Sequence, residues 1–276
     1  MFKEINISTW AFEEVSASES LPVLKELGFG SVEVWGVTNS HFDPQNPSSV
    51  ARLGEDLSST GIRADSLHAP FGGGVLDISN TDPVQRGSAV KTLSACLEAA
   101  SNLGAWAMII HPGHLMGPGE EPTRYRLAVE SLETLCGRGD DLGVTVCVEN
   151  LFSDDFHLVF CDTLPKVLHL VRSVEGPAPA ICIDTSHANI MGGVPDEIEI
   201  CGSAIRRTHI SDNMGEHDDH LPPGDGVIDW EGVVTSLRRI SFPGPLTLEI
   251  AGRQDPGGNV GRARASMEDL LASGDS

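Results

Sequence analysis

The sequence predicts an α/β protein, a single (β/α)8 TIM barrel over residues 1–276. Short β-type runs alternate with longer helical runs eight times, which implies parallel strands joined by right-handed crossovers. Eight such units in one chain of this length fit a closed barrel better than an open sheet. An open doubly wound sheet would offer a glycine-rich turn after its first strand, where this chain reads Thr9-Trp10-Ala11-Phe12.

In order, strands are expected at 3–9, 31–35, 63–68, 105–111, 145–149, 180–184, 207–211 and 246–250. Between them, helical spacing of apolar residues marks 20–27, 83–103, 123–138, 164–174 and 233–240. The 123–138 run, for example, carries Leu127, Leu132, Leu135 and Cys136 on one face. Gly28 and Gly104 stand just past helix ends, where a left-handed residue closes the last turn. No linker or second domain interrupts the pattern, and the residues after Ala272 are expected to fray.

Composition excludes several classes of function. Forty acids against eighteen bases give a net charge of −22, which repels phosphate backbones and argues against a nucleic-acid partner. No apolar run approaches the roughly 20 residues of a membrane span, and the first residues lack the apolar core of a signal peptide. A cytoplasmic location follows by default. Six cysteines form no C-x-x-C pair, and Cys147 and Cys182 fall inside apolar strands, so reduced core thiols are expected. None of the four lysines ends a strand, which leaves Schiff-base chemistry without a nucleophile.

Barrels of this kind build their sites at the C-terminal ends of the strands. Six of the eight strands end in a carboxylate or an imidazole: His68, His111, Glu149, Asp184, His209 and Glu249. Residues two positions earlier, such as Cys147, Cys182 and Thr247, are small or apolar, so alternation directs the end groups to the barrel mouth. Glu149, Asp184, His209 and Glu249 converge from the last four strands. Three carboxylates with one imidazole suit a divalent cation, Mn2+ first, with Mg2+, Co2+ or Zn2+ as alternatives. The bland reading is that each merely caps a neighbouring loop. The stretch 206–230 poses the same choice on its own, since His209, Asp212, His217, Asp218, Asp219 and His220 form either a ligand shelf or a solvated acidic loop.

The motifs HAP (68–70), HPG (111–113), VEN (148–150), DTSHA (184–188), HISDN (209–213), HLPPGDGVIDW (220–230) and LEI (248–250) together resemble the xylose isomerase-like barrels. That group includes sugar isomerases and epimerases as well as endonuclease IV. The resemblance implies that Glu149, Asp184, His209 and Glu249 bind the metal. It also implies that Glu149 and Glu249 act as an acid/base pair, moving a proton on a small keto-sugar through an enediolate that the cation stabilises. Related barrels dehydrate keto-cyclitols or process 3-keto-glycosides by similar logic, so elimination remains an alternative to epimerisation. The endonuclease branch implies more ligands: His68, His111, His187, Asp218 and His220 complete its trinuclear zinc pattern of nine positions. Zinc-dependent hydrolysis of abasic DNA is therefore the rival reading, opposed by the charge. Ketose 3-epimerases lead one to expect an arginine soon after the histidine ligand, where this chain reads Asn213-Met214-Gly215-Glu216-His217. Relatives are often homo-oligomers, an expectation from analogy alone.

Softer signals surround this set. Trp10 and Trp35 follow the first two strands and are candidates for stacking on a sugar, while Trp230 belongs to the shared motif. Gly72-Gly73-Gly74 reads as a mobile loop or an amide nest. Arg253 with Gly257-Gly258 stands where many barrels bind phosphate. Glu33 and Arg207 are expected to point into the barrel as a buried charge layer beneath the ligands. His41, His114, His157 and His169 read as loop or helix-surface residues.

Overall fold

The computed structural model describes residue 2 and residues 4–37, 41–72, 76–114, 117, 119–154 and 158–273. Gly73, Gly74 and His157 therefore lie outside the described residues. Eight parallel strands form the barrel: β1 (Ile5–Ser8), β2 (Ser31–Trp35), β3 (Arg63–His68), β4 (Ala107–Ile110), β5 (Thr145–Glu149), β6 (Ala180–Asp184), β7 (Ile205–His209) and β8 (Leu246–Leu248). From β1 to β7 each strand pairs with its sequence neighbour, and β8 pairs with β1. Between β7 and β8 the barrel closes through a parallel bridge, Ile210 to Leu248, with the Ile210 amide donating to the Thr247 carbonyl at 2.7 Å.

The helices wrap the outside. They are α1 (Ala17–Glu26), α2 (Pro47–Thr60), α3 (Pro83–Asn102), α4 (Glu121–Leu142), α5 (Leu164–Arg172), α6 (Thr185–Ile190), α7 (Asp196–Cys201), α8 (Trp230–Arg239) and α9 (Pro256–Ser273). Gly28 and Gly104 adopt φ of 86° and 76°, the left-handed geometry their positions after α1 and α3 require. No helix among the described residues is long and apolar enough to cross a membrane.

Strand alternation divides the core. Met108, Ile110, Val146, Val148, Ile181 and Ile183 face outward under the helices. Each such side chain contributes roughly 1.5–3 kcal/mol by leaving water. Ala107, Ile109, Cys147, Ala180 and Cys182 form a separate cluster inside the barrel. One pleat further along each strand, the inward positions become the polar groups of the mouth. Two irregularities shape the layer just below. On β3 the register skips Asp65, since Val32 pairs with Ala64 and Glu33 with Ser66. On β7 it skips Arg206, since Ile181 pairs with Ile205 and Cys182 with Arg207. Bulges re-aim side chains next to functional sites, and here they flank Glu33 and Arg207.

Candidate active site

The floor is an ionic layer. Glu33 and Arg207 are fully buried, as their positions led us to expect. Arg207 forms an ion pair with Asp65, donates to Ser66 Oγ at 2.5 Å and to Thr247 Oγ1 at 2.9 Å, and lies 3.6 Å from Glu33. Glu33 accepts from Ser66 Oγ at 2.8 Å and faces His209 Nε2 at 2.9 Å. Asp65, which the sequence reading passed over, is brought in by the bulge.

Above this floor, Glu149, Asp184, His209 and Glu249 each offer a donor atom within 4.8 Å of the other three, all buried. His209 Nδ1 lies 3.1 Å from Glu149 Oε1 and 3.2 Å from Glu249 Oε2. Asp184 caps α6 by accepting the His187 amide at 2.7 Å on Oδ1, whereas its buried Oδ2 has no hydrogen-bond partner. A stranded buried acceptor costs about 1–3 kcal/mol, and more when charged. A cation among the four would recover that cost, so the donor set fits a divalent ion.

A second ring of side chains continues from Glu149. His68 and His111 approach its Oε2 at 3.3 and 3.4 Å. His187 and His220 both reach Asp218 Oδ2, at 3.2 and 2.9 Å, while Asp218 Oδ1 is buried without a partner. In His68, His187 and His220 the Nδ1 nitrogen faces a backbone carbonyl, of Ala69, Asn150 and Glu249, at 2.8 to 3.0 Å. That arrangement fixes a proton on Nδ1 and turns Nε2 into the site, toward Glu149 from His68 and toward Asp218 from His187 and His220. All nine residues picked out from the sequence are thus brought together at one end of the barrel.

Their electrostatics differ. Burial raises the Glu149 carboxyl, but the charge of His209 and hydrogen bonds from His111, His209 and His68 outweigh it and hold Glu149 well below the usual range. Burial dominates at Glu249 and pushes it up to about 7, against the opposing pull of His209. His111 is driven down to about 4 by burial, which the neighbouring Glu149 offsets only in part. Burial also disfavours the charged form of His220, yet its hydrogen bond to Asp218 and that group's charge lift it to about 9.

Over these groups opens a cavity of about 310 Å³ with a largely apolar upper wall. Trp10 and Trp35 line it, as do Phe71, Leu151, Phe152 and Val159, which the sequence reading missed. Aromatic rings back the imidazoles: Trp10 on His220 at 4.5 Å, Phe71 on His111 at 4.5 Å and Phe152 on His187 at 5.1 Å between centroids. Phe71 directly follows HAP and lines the cavity, which its place in the sequence did not signal.

Several expectations need correcting. Arg253 is exposed, does not line the cavity and donates to the Asp219 carbonyl at 3.1 Å. The Gly258 amide is taken by Asp255 at 3.0 Å, so a carboxylate of the chain itself occupies that turn. His41 is buried, not superficial, with Nε2 3.0 Å from Thr9 Oγ1, and His114 lines the mouth. Asp212, left open between a ligand shelf and a solvated loop, is buried and committed to its own loop. Its two oxygens accept the amides of Asn213, Gly224, Gly226 and Ile228 and the Trp230 indole at 2.8–3.2 Å.

Among relatives, D-psicose 3-epimerase of Agrobacterium fabrum is 22% identical over 256 residues, covering 91% of this chain and 84% of that protein. A probable endonuclease 4 of Mycobacterium ulcerans is 26% identical over 252 residues, covering 78% and 94%. Among solved structures, IOLI protein with a bound zinc atom superimposes with a TM-score of 0.84 at 17% identity, over 98% of both chains. A family model described as xylose isomerase-like TIM barrel matches residues 21–270. The strand order, the mouth residues and that match agree: the chain belongs to the xylose isomerase-like TIM barrel family.

Proposed function

We propose that this chain is a divalent-metal-dependent isomerase or epimerase of a small keto-sugar. The observation that carries this reading is the convergence of Glu149, Asp184, His209 and Glu249 within 4.8 Å, with Asp184 Oδ2 buried and unpartnered. These four residues hold the ion, and the balance of three carboxylates and one imidazole favours Mn2+ over softer alternatives. When bound, the cation supplies Lewis-acid polarisation of a carbonyl and its neighbouring hydroxyl, which acidifies the C–H between them.

The chain's own groups do the rest. Glu149 and Glu249 come from β5 and the end of β8, so their carboxylates approach a sugar carbon from two directions. One removes the proton and the other returns it to the opposite face. Their environments push the two carboxyls apart in acidity, the usual signature of an acid/base pair. His68 and His111 fix Glu149 Oε2, and the aromatic wall excludes water from the carbanion. Elimination would use the same removal step if a β-hydroxyl then departed.

The rival reading, zinc-dependent cleavage of abasic DNA, draws on the His187–Asp218–His220 chain and on the endonuclease relative. The charge of −22 opposes it. Incubation with an abasic-site duplex and Zn2+ separates the two, with no nicking expected. Deuterium uptake from solvent into ketoses in the presence of Mn2+ tests the main reading. Glu149→Gln is expected to abolish that exchange; full activity in that variant, or a protein that takes up no divalent ion, sinks the proposal.

A further inference from the structure

The mouth of the barrel combines carboxylates and imidazoles with apolar side chains. Among the described residues lining the cavity there is neither lysine nor arginine. Arg207 lies under the floor and is engaged by Asp65 and Glu33, and Arg253 stays outside on the surface. Met214 and its neighbours, where a sugar-gripping arginine was expected, supply no positive charge. A phosphate ester entering here would meet Glu149, Asp184, Asp218 and Glu249 with no arginine or lysine to receive it.

The upper wall asks for something different. Trp10, Trp35, Phe71, Leu151, Phe152 and Val159 all line the cavity beside the carboxylates. Phe71 is 49% exposed and stacks one face on His111. Such a surface is satisfied by apolar area on a ligand, not by hydroxyls. A cavity of about 310 Å³ is at the lower limit of the roughly 300–1,000 Å³ typical for ligands of drug size. We infer that the substrate is an unphosphorylated keto-sugar that carries an apolar alkyl or aryl substituent, its polyol held by the acidic floor and its substituent by the aromatic wall.

This inference rests on the proposed proton-transfer reading, and one experiment separates the two. The Mn2+-loaded protein is given ketohexoses in three forms: free, as the phosphate ester of the primary hydroxyl, and as the benzyl ether of that same hydroxyl. Solvent deuterium uptake is followed by mass spectrometry. The ether is expected to exchange with kcat/KM at least about tenfold above the free sugar, the scale that small apolar increments contribute in a pocket. The phosphate ester is expected to fall below the free sugar. Phe71→Ala, a half-exposed position where truncation spares the core, is expected to cut the ratio of ether to free sugar at least fivefold. Exchange of the free sugar or the phosphate ester at rates equal to the ether, or an unchanged ratio in Phe71→Ala, overturns the inference and leaves the proton-transfer reading intact. Exchange in none of the three forms overturns that reading and the inference with it.

Discussion

Glu33 Oε1 lies 2.9 Å from His209 Nε2, on the side of the ring away from the convergent donors, while Nδ1 faces Glu149 and Glu249 at 3.1 and 3.2 Å. A carboxylate in that place holds a proton on Nε2, so that a cation displacing the Nδ1 proton would meet the Nδ1 lone pair. Histidine ligands are oriented in this way by partners whose loss typically costs 10- to 100-fold in metal affinity. Glu33→Gln is expected to weaken Mn2+ binding by about that factor in titration calorimetry, because the amide can donate to Nε2 and select the wrong tautomer. Glu33→Asp keeps the charge and should recover part of the loss, which a mere packing role would not.

Arg207 compensates the other face of the same layer. It is fully buried and bonded to Asp65, Ser66 and Thr247, with Glu33 at 3.6 Å. Replacing it by methionine preserves much of the volume but strands two buried carboxylates. Breaking a buried pair from one side costs about 3–5 kcal/mol. A fall of that size in unfolding free energy by urea titration is the expected outcome. Arg207→Lys should rescue little, because a point charge cannot serve Asp65, Ser66 and Thr247 at once.

The cysteines set an alkaline limit. Burial pushes the thiols of Cys96, Cys136, Cys147 and Cys201 from an ordinary 9.0 up to about 12. A thiol whose folded pKa is raised contributes nothing to the pH dependence of stability below 9, where folded and unfolded chains are both protonated. Between 9 and 12 only the unfolded chain ionises, so stability falls as pH rises. Iodoacetamide at pH 8.5 should leave the native protein unlabelled and modify all six thiols once urea is added.

Much of this could be read from the chain because strand alternation is strict. Glu149, Asp184, His209 and Glu249 each stand at or just past the end of a strand with a period of two, and the bounds of β2, β3, β5 and β6 agree with expectation to the residue. Helices were harder. α2 places only Val50, Leu53 and Leu57 on its buried face, and α9 opens on Pro-Gly-Gly; neither was picked out. β7 was placed two residues late because Ile205 and Arg206 sit beside the bulge. The apolar wall was illegible for another reason. Phe71, Leu151, Phe152 and Val159 lie in loops with no period, and their common destination is set by tertiary contacts alone.

Asp212 is the sharpest case of a misleading residue type, and it yields the last prediction. In sequence it stands three residues after His209, amid histidines and aspartates that form either a ligand shelf or a solvated acidic loop. In the fold its carboxylate gathers four backbone amides and the Trp230 indole, while its backbone pairs with Leu221 at 2.8 Å in both directions. The motif's glycines serve the same hub: a Cβ on Gly226 would collide with the Asn213 carbonyl and the Asp212 carboxylate. Asp212→Asn offers one acceptor oxygen where two were used, and turns an amide toward donors that then have no partner. Each stranded donor costs about 1–3 kcal/mol. The variant should therefore lose stability on that scale. Its amides from 213 to 229 should exchange hydrogen faster, with those of β2 to β6 unchanged. Metal stoichiometry should stay at the wild-type value, because Asp212 shapes the loop that carries Asp218 and His220 and does not touch the ion. Loss of one metal equivalent in Asp212→Asn, with normal exchange in the loop, would show the residue to be a ligand after all.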